Sequence, residues 1–286
     1  MITIVVPAYN ESGAIAGTVE SLRAMLEAEP LEGAEILVVD DGSADDTAAA
    51  AEAAGARVVR HPTNVGYGRA LKSGIRAASH DTIVIIDADL TYPAEAIPDL
   101  LAEYDKGFDM VVGARQGEHV NPTPFKGPLR RLLKAMVEFV AERRIPDVNS
   151  GLRVFSKATV GGYLSHLCDT FSFTTSLTLA YMLTGRFVGY LPIAYHERVG
   201  KTKVRMLWDS LRTLQYIAQA VIYYNPLKLF VLISGLFVLF SVISFGLGAL
   251  TKVPAFYFLG FVGILMTFLM FGIGLLADLL RQIMAK

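Results

Sequence analysis

Thr82-Ile83-Val84-Ile85-Ile86-Asp87-Ala88-Asp89-Leu90 is an apolar, β-branched run that ends in two carboxylates one residue apart. It is too short for a buried helix and reads as a strand over 82–86, covered on both faces. At the C-terminal end of such a strand, side chains lie in the ligand crevice of an open α/β sheet. Asp87 and Asp89 would there offer hard oxygen ligands beside a diphosphate, a setting that suits Mg²⁺ or Mn²⁺. The alternative is that either aspartate only caps the helix announced by Pro93-Ala94-Glu95.

On both sides of this strand the chain alternates. Strands are expected over 2–6, 35–39, 57–60 and 109–113, and helices over 12–28, 45–54, 69–78 and 94–104. Such alternation predicts an α/β fold with a mostly parallel sheet. Strand ends again carry polar clusters: Pro7-Ala8-Tyr9-Asn10-Glu11, Asp40-Asp41-Gly42-Ser43, and the loop Asn64-Val65-Gly66-Tyr67-Gly68. Tyr9 could flank a base, Glu11 or Asp41 could accept from ribose hydroxyls or a base N–H, and glycines admit close backbone approach. Taken singly, Glu11 and Asp45 could instead favour helix N-termini and Gly42 or Gly66 merely turn the chain.

The C-terminal third obeys a different solvent. The 286 residues are 53% hydrophobic with a mean hydropathy of +0.44. The excess is concentrated in two uncharged runs, 229–250 and 253–277, each long enough to span ~30 Å of hydrocarbon. A formal net charge of −1 disfavours nucleic acid as a partner. Met1-Ile2-Thr3-Ile4-Val5-Val6-Pro7 lacks a basic region and a small-residue cleavage site, so it reads as a strand and not as a signal peptide. The single cysteine, Cys168, excludes an internal disulfide, fits a reducing compartment, and is read as a small buried hydrophobe.

Val6-Pro7-Ala8-Tyr9-Asn10-Glu11, Val38 to Thr47 and Asp87-Ala88-Asp89 together resemble the three signatures of family 2 inverting glycosyltransferases of the GT-A fold. With Ser150-Gly151-Leu152-Arg153 and the paired membrane runs, the resemblance extends to polyprenyl-phosphate glycosyltransferases, the dolichol-phosphate mannose synthase group. It implies a nucleotide-sugar donor held by Pro7, Tyr9, Glu11, Val39 and Asp41. Asp87 and Asp89, with Ala88 beside them, would hold the metal on the diphosphate. Arg115 in Gly113-Ala114-Arg115 and Arg131 in Leu129-Arg130-Arg131 match arginines that face phosphate. Arg198 and Lys203 match an R-x-x-G-x-S-K motif that is one residue shorter in this chain. Thr91 stands where mannose synthases usually carry glutamine. Asp147, before Asn149-Ser150-Gly151, is a candidate for positioning sugar or acceptor, with a turn residue as the alternative.

Independently of the resemblance, several negative charges meet in such a cleft, and Arg115, Arg131, Arg198 and Lys203 could offset them. A solvated basic face, or attraction to anionic lipid, is the other reading and is favoured for Arg205 and Arg212. Leu207, Trp208, Leu211, Leu214, Ala218, Val221 and Ile222 share one helical stripe, which predicts an amphipathic helix over 204–225 lying in the head-group region. Leu129, Leu132, Leu133, Met136, Val137 and Val140 repeat the pattern after a loop over 117–128 that could serve as an acceptor lid, with an ordinary amphipathic helix packed on the sheet as the other reading of this segment. The expected domains are therefore 1–203 catalytic, 204–225 interfacial and 226–286 membrane-spanning.

Basic residues flank the two spans, and only Lys252 lies between them, so both termini and the catalytic domain are expected in the cytosol of a multi-pass protein of the cell or an ER-type membrane. Asp89, Arg131 and Asp147 are the residues assigned to catalysis. The expected partners are a UDP- or GDP-linked sugar, undecaprenyl or dolichyl phosphate, and membrane lipids, with a homo-oligomer left open. A lipid phosphate monoester is already ionised near neutrality, its second pKa being about 6, so one inverting displacement needs no strong base. The chain has no Q-x-x-R-W stretch of processive synthases, which favours one transfer per cycle. Two other readings stand beside this one: a glycolipid synthase acting on a neutral lipid alcohol, which needs a real base, and a non-catalytic nucleotide-sugar-binding membrane scaffold.

Overall fold

The computed structural model describes residues 1–29, 31, 33–117, 135, 137–139, 141–197, 214–215, 218–219 and 221–284. The chain forms two compact units, Met1–Tyr216 and Ile217–Lys286. In the first, β1 (Ile2–Ala8), β2 (Glu35–Asp40), β3 (Arg57–Arg60) and β4 (Thr82–Ile85) alternate with α1 (Ile15–Ala28), α2 (Thr47–Ala53) and α3 (Tyr67–Ala77). A 3₁₀ turn (Ala94–Ala96) and α4 (Ile97–Tyr104) lead to β5 (Met110–Gln116). Then follow β6 (Arg153–Ser156), α5 (Lys157–Gly161), α6 (Phe173–Leu183) and β7 (Val188–Ala194).

The seven strands lie in the order β3-β2-β1-β4-β6-β5-β7. All neighbours run parallel except β6, which is antiparallel to both β4 and β5. The chain builds outward from β1 to β2 and β3, then crosses to the other side of β1 to lay down β4. Strand order therefore reverses between β1 and β4, and an open α/β sheet places its ligand crevice beyond the carboxyl ends of that pair. Tyr9-Asn10-Glu11 and Asp87-Ala88-Asp89 are the residues that leave those two ends.

Ile4, Val6, Val38, Val84 and Val154 are fully buried on one face of the sheet. On the other, α3 lies so flush that a Cβ on Gly74 would come 2.3 Å from Val5 Cγ1. The sequence places the elements to within a few residues: α1 starts at Ile15 after a turn over Ser12–Ala14, and β5 continues through Arg115. Strands β6 and β7 escape the sequence pattern for physical reasons. Buried Arg153 opens β6 with a charge and leaves only Val154 and Phe155 as its apolar run. Gly189 and Pro192 break that of β7, where an edge position tolerates a proline.

The second unit is a helical hairpin of α7 (Pro226–Thr251) and α8 (Pro254–Met284), both long and apolar enough to cross a membrane. The Asn225 side chain accepts from Lys228 N at the start of α7, and Lys252 closes it in a left-handed conformation at φ 57°. Ser241 donates to the Gly260 carbonyl across the pair at 2.9 Å, a small-residue contact that suits helices lacking a hydrophobic drive to associate in lipid. Most of the amphipathic segments over 129–140 and 204–225, and the lid over 117–128, lie outside the described residues. Those that are described at 135, 137–139, 214–215, 218–219 and 221–224 are helical.

Candidate active site

The loops leaving β1 and β2 are clasped to each other. Asn10, at φ 50°, donates its backbone N–H to Ser43 Oγ at 2.9 Å, and its Oδ1 accepts from Ala44 N at 2.8 Å. Glu11 N donates to Thr47 Oγ1 at 2.8 Å, while Asp45 accepts from Ser12 N, Thr47 N and the Thr47 hydroxyl. Burial opposes ionisation of Asp45, but these bonds outweigh it and hold its carboxyl below the usual range. Asp45 is thus a fastener, while Tyr9 and Glu11 are half-buried.

Asp41 is buried, and its oxygens gather a neighbouring loop. They accept from Val65 N and from Gly66 N at 2.8 Å, and pair with His61 Nδ1 at 2.7 Å. The far His61 nitrogen meets Ser73 Oγ at 2.9 Å. Gly66 adopts φ 109°, and a Cβ there would stand 2.7 Å from the Asp169 carbonyl, so this turn tolerates only glycine. The loop then delivers Tyr67, whose hydroxyl donates to Asp87 Oδ1 at 2.8 Å and whose ring stacks on Phe171 at 5.7 Å. Burial, reinforced by the Asp87 carboxylate, raises the Tyr67 pKa well above that of a free phenol, so the proton stays on.

Asp87 is half-buried and Asp89 buried. Neither caps the following 3₁₀ turn, whose N-cap position is Pro93. Asp89 Oδ1 instead accepts from the Thr91 hydroxyl at 2.6 Å and from Thr91 N at 3.2 Å. Thr91, the departure from glutamine, therefore orients the second carboxylate. A Cβ on Gly151 would come 2.5 Å from Asp87 Oδ2, which makes Gly151 one wall of the Asp87 cradle. The donor set is hard oxygen throughout. Among the described residues no group of three or more His, Cys, Asp or Glu side chains could form a protein-only metal cage. The pair therefore fits Mg²⁺ or Mn²⁺, ions that complete their shells with phosphate oxygens and water.

Beside this cradle, Arg115 and Asp147 form a sheltered two-pronged ion pair, Nε to Oδ2 at 2.6 Å and Nη2 to Oδ1 at 2.9 Å, with each side chain 12% exposed. Burial alone would raise the Asp147 pKa, yet the guanidinium prevails and holds it below the usual carboxylate range. The Arg115 guanidinium also lies 5.2 Å above the Tyr195 ring. Tyr195 meets Tyr92 edge-on, and the Tyr92 hydroxyl accepts from Gly151 N at 2.7 Å. Arg153, fully buried, donates to the carbonyls of Ser150 and Val148 and to Thr178 Oγ1, which fixes the turn bearing Asp147 and Gly151.

Residues 3–161 match the sequence profile described as glycosyl transferase family 2. Undecaprenyl-phosphate 4-deoxy-4-formamido-L-arabinose transferase of Enterobacter sp. (strain 638) is 31% identical over 238 residues, which cover 80% of this chain and 69% of the relative. The Klebsiella pneumoniae protein of that name is 30% identical, with 86% and 74% covered. The chain belongs to glycosyl transferase family 2. Glucosyl-3-phosphoglycerate synthase from Mycobacterium tuberculosis, solved with Mg²⁺ and UDP, superposes with a TM-score of 0.63 at 21% identity. That likeness covers 77% of this chain and 79% of the other, and identifies the first unit as a mixed-sheet GT-A fold.

This glycosyltransferase brings together many of the residues singled out from sequence. Pro7 and Val39 face each other across β1 and β2, and both are buried, as is Ala88. Asp87, Arg115 and Asp147 are linked through Gly151, Tyr92 and Tyr195, while Asp89 follows two residues after Asp87 and is held by Thr91. Arg131, Arg198 and Lys203 lie outside the described residues. Sequence reasoning assigned no role to Tyr67, Tyr92 or Arg153. Tyr67 sits inside the Asn64 to Gly68 loop, and Arg153 closes the Ser150 to Arg153 segment, so both lie in stretches whose pattern stands out in the sequence.

Proposed function

We propose that this family 2 transferase moves a sugar from a UDP- or GDP-linked donor to a polyprenyl phosphate at the cytoplasmic face of a membrane. The proposal rests most on the relatives named as undecaprenyl-phosphate transferases, matched over more than two thirds of their length, in a chain that also carries two helices of membrane-spanning length. The nucleoside would lie against Tyr9, Glu11 and the wall of Pro7, Val39 and the loop that Asp41 gathers. Asp87 and Asp89 would hold a divalent ion, which neutralises the diphosphate leaving group when bound. Arg115 would lie with the nucleotide-sugar donor, and Arg131, Arg198 and Lys203 would receive the acceptor phosphate. That phosphate attacks the anomeric carbon in one inverting step, and being ionised already it gives up no proton to the protein.

The Arg115–Asp147 pair supports phosphate over a neutral alcohol as acceptor. An alcohol needs a base with a pKa near neutrality, and Asp147 is held ionised below the carboxylate range by Arg115. The test is a matched assay of the full chain with polyprenyl phosphate and with the dephosphorylated polyprenol, across UDP- and GDP-sugars. Transfer confined to the phosphate is expected, and comparable transfer to both would overturn the proposal.

A further inference from the structure

We infer that Tyr67 is a positioning residue for the divalent ion: its hydroxyl sets the carboxylate of Asp87, and the loop that carries it ties ion binding to the wall of the nucleoside pocket. The inference rests on the proposed metal role of Asp87 and Asp89 and adds a residue to it. Tyr67 is the first residue of α3, so its backbone is fixed by the helix on one side and by Gly66 on the other. Gly66 and Gly68 press the turn against the main chain of 168–170, where a Cβ on Gly68 would stand 2.3 Å from the Cys168 carbonyl. Lys72, one helical turn further and 4% exposed, ties α3 to the same segment through Asp169 Oδ1 at 2.6 Å.

The ring is fixed as firmly as the backbone. It stacks on Phe171 with 15° between the planes, which leaves the hydroxyl a single direction, toward Asp87 Oδ1 at 2.8 Å. With Gly151 walling Oδ2 at a distance no Cβ would permit, the carboxylate is held from both sides before any ion arrives. Hydrogen bonds of this kind to a ligating carboxylate fix its orientation, and their loss commonly costs 10- to 100-fold in metal affinity. The same loop hangs from Asp41 through Val65 N and Gly66 N, so a nucleoside pressing on this wall acts on the segment that aims Tyr67.

The test is Mn²⁺ titration of the full detergent-solubilised chain, followed by the paramagnetic resonance of the free aqueous ion, with the metal alone and with UDP. Tyr67→Phe keeps the ring and its stack on Phe171 and removes only the donor. It is expected to weaken Mn²⁺ binding by roughly 10-fold or more with an unchanged melting temperature. Asp89→Asn, run in parallel, is expected to abolish binding. Wild-type affinity in Tyr67→Phe alongside loss in Asp89→Asn overturns the role of Tyr67 alone. Undiminished binding in Asp89→Asn overturns the metal site and the inference with it. Weakened binding matched by a lowered melting temperature would assign Tyr67 a merely structural role and also overturn the inference.

Discussion

Two residues that the sequence treats as separate, Arg115 and Asp147, are one ion pair, and the energetics of burial say what each contributes. Removing one partner leaves a sheltered charge uncompensated, so Asp147→Asn should destabilise the catalytic unit by roughly 3 kcal/mol. Replacing both, as Arg115→Met with Asp147→Leu, removes both desolvation penalties and should bring the melting temperature back towards wild type. Transfer should stay lost in the double variant, because Arg115 is also assigned to the nucleotide-sugar donor. Calorimetry and a transfer assay on the two variants give the answer, and recovery of activity along with stability would show that Arg115 serves the fold alone. Asp89→Asn should act oppositely, leaving melting nearly unchanged while transfer falls on the order of 100-fold or more, since a neutral amide is a poor ligand for a hard cation. Full transfer by that variant, or in excess EDTA, would remove the metal from the mechanism.

Elements were more legible than side-chain roles. β1, β2, β4 and their helices announce themselves because a parallel strand buried on both faces must be apolar along its length, and the polar residues that follow mark its end. The antiparallel β6 was not legible, since Arg153 occupies a position where burial predicts an aliphatic side chain and its partners are carbonyls from a turn no pattern reveals. Many polar residues of the signatures turn out to serve cohesion: Asn10, Ser43, Asp45 and Thr47 bind the loops to each other. Glu35 does the same at the opposite end of the sheet, accepting from Thr3 Oγ1, Ser79 N and Arg57 across three neighbouring segments. Burial raises its pKa, but those bonds overcome it and carry the group from 4.5 down to about 2. The folded state therefore binds its proton less readily than the unfolded chain, and the stabilisation is whole above pH 4.5 and disappears as pH falls towards about 2. Glu35→Gln should cost roughly 2 kcal/mol at neutral pH, allowing for the exposed Arg57, and that deficit should shrink on acidification. Parallel melting curves for variant and wild type across this range would count against the assignment.

At the scale of the whole molecule, the candidate site and the two helices of membrane-spanning length fall in different units. The family 2 profile ends at residue 161, well inside the unit that closes at Tyr216, whereas both long apolar helices belong to the unit that begins at Ile217. The carboxylate cradle, the Asp41 loop and the Arg115 pair are built from residues of the first unit alone. A chain ending at Tyr216 should therefore keep its metal-dependent affinity for a nucleoside diphosphate. It should lose transfer to a long polyprenyl phosphate for a reason of concentration: an acceptor held in a bilayer is met by an anchored enzyme at high effective concentration, an advantage that a soluble domain forfeits. A short-chain, water-soluble prenyl phosphate removes that disadvantage, because it reaches anchored and soluble forms alike. The comparison is transfer by the two forms to the long and the short acceptor at equal enzyme concentration. A loss of roughly 100-fold or more on the long acceptor is expected, within the range by which tethering raises apparent affinity, with near parity on the short one. Equal transfer to the long acceptor would show the hairpin to be dispensable, and loss on both acceptors would place part of the catalytic machinery beyond Tyr216.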